Sequence, residues 1–279
     1  MMGPTEYRAD FVRMVQRPEP AIDLARTALL VAGESDPNVD VDGALATLES
    51  WAATLKSRLD PSWNNLQKLA RLRAFMFEEL HFRGARDDYF SPSNSLLHEV
   101  LKRRLGIPLT LAIVMMEVGW RVGIPFEGVG FPGHFLVRLA GEPSDLLLDP
   151  YRRGMSVHEE DCKKILLDAT GGKLEFNRDL LASVGKREMI LRLLNNLKGA
   201  YLRAGEDELA LAAVDRLLVL MPNDPEETRD RGLLLFRLQQ FGKALDCLNN
   251  YLDAVQVSAD RAQIEQHVAA LRQVLASMN

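Results

Sequence analysis

Cysteine is scarce in this chain. Its two cysteines, Cys162 and Cys247, lie far apart and lack the paired spacing of a zinc site, which excludes a disulfide framework and points to a reduced compartment. Histidine is nearly as sparse, with five in the chain. His81, His98, His158 and His267 are scattered over helical stretches, and His98-Glu99 lacks the second histidine of a metalloprotease helix, so no metal is expected. No glycine-rich phosphate loop follows a strand and no dinucleotide fingerprint occurs, so no cofactor is expected either. Basic blocks are missing, and 34 Lys and Arg against 39 Asp and Glu leave a net charge of −5, which argues against nucleic acid as a partner. No apolar run approaches the length of a membrane span, and the stretch MMGPTEYRADFVRMVQRPEP has no apolar signal region; the expectation is a cytoplasmic protein that makes no membrane contact.

What is present is ordinary globular material, 47% hydrophobic and 26% charged. Residues 1–85 carry helical periodicity throughout. EPAIDLARTALLVAG ends at Gly33, Leu45, Leu48, Trp51 and Leu55 share one face of the next helix, and WNNLQKLARLRAFMFEELHF forms a third. A polar loop then leads to a helix with Ser93 or Asn94 as the expected N-cap. The apolar stretch after Gly106 suits a helix buried on most sides. Residues 126–131, 134–139 and 145–149 switch to strand character, with a turn at Gly141, Glu142 and Pro143. From about residue 188 the chain is helical again and repeats. Setting Ala210 on Ala244 gives a period of 34 and aligns Tyr201 with Leu235, Val214 with Leu248, and Leu217 with Tyr251, the tetratricopeptide spacing. The expected organisation is a helical N-terminal region (1–85), an α+β core (86–187) and helical repeats (188–279), mostly α overall.

A turn centred on Gly141 and Glu142 sets His134 directly opposite Asp149, with Cβ atoms about 4.5–5.5 Å apart. A carboxylate so placed orients an imidazole and fixes its tautomer, as in a nucleophile–base–acid triad. The same pair also suits a structural bond on a half-buried sheet, with Pro132 and Gly133 shaping the start of the strand.

GIPLTLAIVMMEVGWRVGIP followed by GVGFPGHFLVRL and LLLDP resembles the transglutaminase-like (papain-like) core, and nearly the whole chain is similar to the SirB1 family, transglutaminase-like proteins with tetratricopeptide repeats. The resemblance implies a helix carrying the catalytic cysteine at its start, and a small antiparallel sheet carrying a histidine and an aspartate, here His134 and Asp149. By the same match the nucleophile position falls on Pro108, which has no nucleophilic atom. Cys162 and Cys247 lie elsewhere, and Thr110 sits some 200° around the helix from Pro108. Ser93, Ser95 and Asn94 precede a neighbouring helix and are candidates to line the site, as is Arg152. Arg152 and Arg153 are read first as solvated charge; the other readings are pairing with the acids of RDD at 86–88 or facing an acidic ligand.

The functional expectation is a binding or scaffold protein on a core without its cysteine. The alternative is a hydrolase or acyltransferase using His134 and Asp149 with a different nucleophile. The repeats are expected to serve a protein partner or self-association. Two helix pairs bury little surface, so the apolar face of the last helix (Ile264, Val268, Leu271, Leu275) is expected to dock on the core or on a second copy.

Overall fold

Where apolar spacing and capping residues coincide in the first third of the chain, helices form: α1 (Pro4–Val15), α2 (Leu24–Ala32), α3 (Val41–Lys56) and α4 (Asn65–Ala74). The structure is a computed structural model that describes residues 3–33, 35–36, 38–141 and 146–278. Asp23 caps α2 by accepting the Arg26 N–H, Asp40 caps α3 through Gly43, and Asn64 and Gln67 form a capping box on α4. Gly33 closes α2, and Leu48, Ala52 and Leu55 form the buried stripe of α3. The third expected helix is not regular throughout: α4 gives way to a π-helical turn, Phe75–Glu79, which buries Phe75, Met76 and Phe77.

Beyond this point the backbone pairs briefly. β1 (Arg83–Gly84) lies parallel to β2 (Leu105–Gly106), a two-residue pairing too short to leave a periodic trace in sequence. Between them come a 3₁₀ turn, Pro92–Asn94, and α5 (Leu97–Arg103). The N-cap of α5 is Leu96, without a side-chain bond, and not Ser93 or Asn94; those two residues belong to the preceding turn. α6 (Pro108–Arg121) starts on proline, which costs no hydrogen bond at the first helical position. Pro108 through Gly119 are all buried, as the unbroken apolar run requires, and α2, α3 and α5 pack around the helix. Glu117, the carboxylate in this run, accepts the Ala25 N–H at 3.0 Å and pairs with Arg121, so α6 caps the start of α2.

The sheet holds β3 (Phe126–Val129), β4 (Leu136–Leu139), β5 (Leu146–Asp149), β6 (Met155–Val157) and β7 (Ser183–Val184), in the antiparallel order β6-β5-β4-β3-β7. Trp120 of α6 donates to the Phe126 carbonyl at 2.9 Å, tying helix to sheet. In the hairpin, Val137 pairs with Leu148, Arg138 with Leu147 and Leu139 with Leu146. This register lies two residues beyond the one expected from a turn at Gly141 and Glu142, so His134 is not directly opposite Asp149. An even shift keeps every side chain on its face, so both residues still point the same way. The turn residues Glu142 and Pro143 fall outside the described residues. α7 (Glu159–Thr170) covers one face of the sheet, and Cys162 packs there among Val129, Phe131, Leu136, Leu147 and Leu166.

The chain divides into two compact units, Met1–Leu193 and Leu194–Asn279. The N-terminal helices and the sheet therefore share one unit, and the sequence boundary at residue 85 falls inside it. α8 (Lys186–Ala204) is followed by α9 (Asp207–Leu220), α10 (Pro225–Arg237), α11 (Phe241–Ala254) and α12 (Arg261–Met278). Every residue of the 34-residue alignment is buried: Tyr201 and Leu235, Ala210 and Ala244, Val214 and Leu248, Leu217 and Tyr251. Ile264, Val268 and Leu271 of α12 join Leu235, Leu248 and Tyr251 in one apolar cluster, so most of the face expected to dock elsewhere is already covered within its own unit.

Candidate functional site

Asp149 is the last residue of β5, and its carboxylate is fully buried. Pro150 cannot continue the ladder, and a 3₁₀ turn, Pro150–Arg152, begins there. Oδ1 of Asp149 caps this turn, accepting the N–H of Tyr151 at 2.9 Å and of Arg152 at 3.3 Å. Oδ2 faces His134, with Nε2 at 2.9 Å. The approach lies off the ring N–H direction, so the two atoms are at ion-pair distance without the aligned hydrogen bond expected from the sequence.

His134 is held from several sides. Its own N–H donates to Phe131 O at 3.1 Å, closing a turn in which Gly133 has φ +70° and a side chain at 133 would collide with Ala169. Arg192 donates to Phe131 O at 3.1 Å and reaches His134 O at 3.5 Å, staking both ends of the turn. The Tyr151 ring meets the imidazole edge-on, centroids 6.2 Å apart. Nε2 is turned to Asp149, and Nδ1 makes no hydrogen bond among the described residues.

Among the described residues no serine, threonine or cysteine side chain hydrogen-bonds to this histidine. Pro108 offers no nucleophilic atom. Thr110 is buried and its hydroxyl is occupied: it donates to Asn94 O at 2.8 Å and accepts the Ile107 N–H at 3.1 Å. Asn94 is a structural hub, its amide donating to the carbonyls of Asp88 and Tyr89 and its Oδ1 accepting from Arg103 at 3.2 Å. Ser93 is half-buried and Ser95 buried, and neither bonds to His134. Cys162 sits in the apolar cluster under α7, where burial, reinforced by Asp161 and Glu159, pushes its thiol above the usual range and keeps it protonated.

Beside the pair opens a cleft of about 620 Å³, lined by Arg83, Arg86, Arg103, Arg152 and Arg153, with Asp87, Asp88, Asn94, Leu105, Tyr151 and Met155. Tyr151 links the two features: its ring lies against His134, its hydroxyl donates to Ala85 O at 2.5 Å, and burial raises its pKa. Gly84 passes so close beneath the ring that a Cβ there would lie 2.5 Å from it. Arg152 thus reaches the site region; its side chain is exposed, and it forms no ion pair with Asp87 or Asp88 among the described residues. Sequence reasoning singled out neither Tyr151 nor Arg192; the position of Tyr151 two residues after Asp149 was the available signal for the first, and nothing local marks the second.

A buried helix packed on a small antiparallel sheet that presents histidine and aspartate is the arrangement of a transglutaminase-like protein. The sequence profile of the transglutaminase-like superfamily matches residues 42–195, and a tetratricopeptide-repeat profile matches residues 197–273. The chain is 34% identical to a UPF0162 protein of Xylella fastidiosa over 90% of both chains, 35% to one of Pseudomonas aeruginosa (71% of this chain, 72% of the relative), and 30% to UPF0162 protein YchA of Escherichia coli (78% and 80%). The chain belongs to the UPF0162 family.

Proposed function

We propose that this protein is a non-catalytic binding or scaffold protein, of the SirB1 type, in which the transglutaminase-like core holds a ligand and does not turn it over. The observation that carries the reading is Pro108 at the first position of α6, where the resemblance calls for cysteine. The occupied Thr110 hydroxyl and the buried, protonated Cys162 support it, because neither replaces the missing nucleophile. The alternative of a hydrolase or acyltransferase draws on one observation, the close approach of His134 to Asp149 with Nδ1 unoccupied. The repeats suit contact with a protein partner, as tetratricopeptide units generally do.

A thiol-directed acyl probe applied to the intact chain separates the readings. The expected result is no labelling of Cys162 that depends on His134. Mass spectrometry showing a Cys162 adduct, or any acyl adduct on Ser93, Ser95 or Thr110, that disappears in His134→Ala would establish the enzyme instead.

A further inference from the structure

The cleft beside His134 is cationic in an acidic protein. Five of its lining residues are arginines and two are aspartates, in a chain whose net charge is −5. None of the five guanidiniums pairs with a carboxylate among the described residues. Arg103 donates to Asn94 Oδ1 and Arg153 to Phe77 O, which fixes two of them; Arg83, Arg86, Arg152 and Arg153 are exposed. They come from separate stretches: β1 and the loop after it, the end of α5, and the turn after Asp149. Like charges gathered this way repel one another, and nothing within the cleft fully offsets that. The cations are all arginine, whose flat fork suits oxyanions two bonds at a time.

We infer that this cleft is a binding site for an acidic peptide segment of a partner protein. The inference rests on reading the core as a binding module. Three features favour spaced carboxylates over a compact phosphate group. No helix N-terminus supplies N–H donors there; α5 presents its C-terminal end, whose dipole repels an anion. Asp87 and Asp88 sit among the arginines and would oppose charge concentrated at one point. The wall also carries Leu105, the half-buried Tyr151 ring and Met155, which is 56% exposed, and these give apolar contact between charges. The occupied cleft brings the ligand against the Tyr151 ring, and through it against His134.

The test is fluorescence anisotropy with the full chain and a short fluorescein-labelled peptide of alternating glutamate and leucine. Arg86→Glu and Arg152→Glu should each weaken binding by about three- to tenfold, because each removes one exposed charge pairing and adds a repulsion. Both side chains are exposed and unpaired, so the fold should survive, as circular dichroism would show. Lys173→Glu makes the same charge change on an exposed residue outside the cleft and should leave affinity unchanged. Equal losses in all three variants would reduce the effect to bulk charge and overturn the site. Absence of binding, or tripolyphosphate binding where the peptide does not, would overturn the ligand class. Self-association removed by Arg86→Glu, without peptide binding, would assign the cleft to a second copy instead. A His134-dependent mass change in the bound peptide would defeat the non-catalytic reading and leave the cleft standing, whereas absence of peptide binding alone defeats only the acidic-peptide assignment.

Discussion

Asp149 does two things with one carboxylate. One oxygen faces the His134 ring and the other caps the turn that carries Tyr151 and Arg152. Replacing it with alanine leaves two N–H groups without their acceptor and a half-buried imidazole without its charged neighbour. Asp149→Ala should therefore cost about 1–3 kcal/mol in urea unfolding. His134→Ala should cost less, because the capping bonds survive it. The double variant should cost less than the sum of the two, since the residues are in direct contact; strict additivity would mean the 2.9 Å approach contributes nothing. Thr110 offers a second residue-scale test. Thr110→Val keeps the shape but leaves the Asn94 carbonyl and the Ile107 N–H with only their long mutual contact of 3.4 Å, and should cost about 1 kcal/mol, read as a lower urea midpoint with the slope unchanged.

At the scale of elements, the connection between α11 and α12 makes a pH-dependent contribution. Asp260 accepts from the Tyr251 hydroxyl at 2.7 Å and from Arg229 at 2.8 Å, and hydrogen bonds from Tyr251 and Ser258 hold its carboxyl down from 3.8 to about 2. A depressed carboxyl pKa stabilises the fold above the unfolded value and loses that contribution as pH falls through the folded one. Thermal midpoints of the full chain should drop between about pH 4 and pH 2, and Asp260→Asn should flatten that limb; an unchanged limb would locate the acid sensitivity elsewhere. How legible such elements were in the sequence follows from their physics. Long amphipathic helices and the 34-residue repeat announce themselves through periodicity, and the His134–Asp149 face is set by alternation, which survives a register error of two. β1 and β2 are two residues each, with no period to detect. The arginine cleft is assembled from stretches far apart in the chain, so only the fold reveals it.

At the scale of the molecule, the second unit owns a core. α12 lays Ile264, Val268 and Leu271 onto α10 and α11, as a terminal cap does in a repeat array. The sequence alone suggests that this tail needs the core or a second copy to be stable, whereas its burial pattern leads to the opposite expectation. Residues 186–279, expressed with α8 intact, should unfold in one cooperative transition and sediment as a monomer; a molten or self-associating fragment would restore the docking idea. The first unit has a different history during synthesis. β3 is flanked in the finished sheet by β4 and by β7, and Val129 pairs with Ser183. The ribosome delivers that last strand about 55 residues after β3, which at about 5–20 residues per second takes roughly 3–11 s. Until then one edge of the nascent sheet stays open, with the N–H and C=O groups of β3 unpaired on that side, while α6 is already packed against α2, α3 and α5. A ribosome-associated chaperone would find its binding window there, and a slow codon placed after residue 184 would do more for the yield of folded chain than one placed before it.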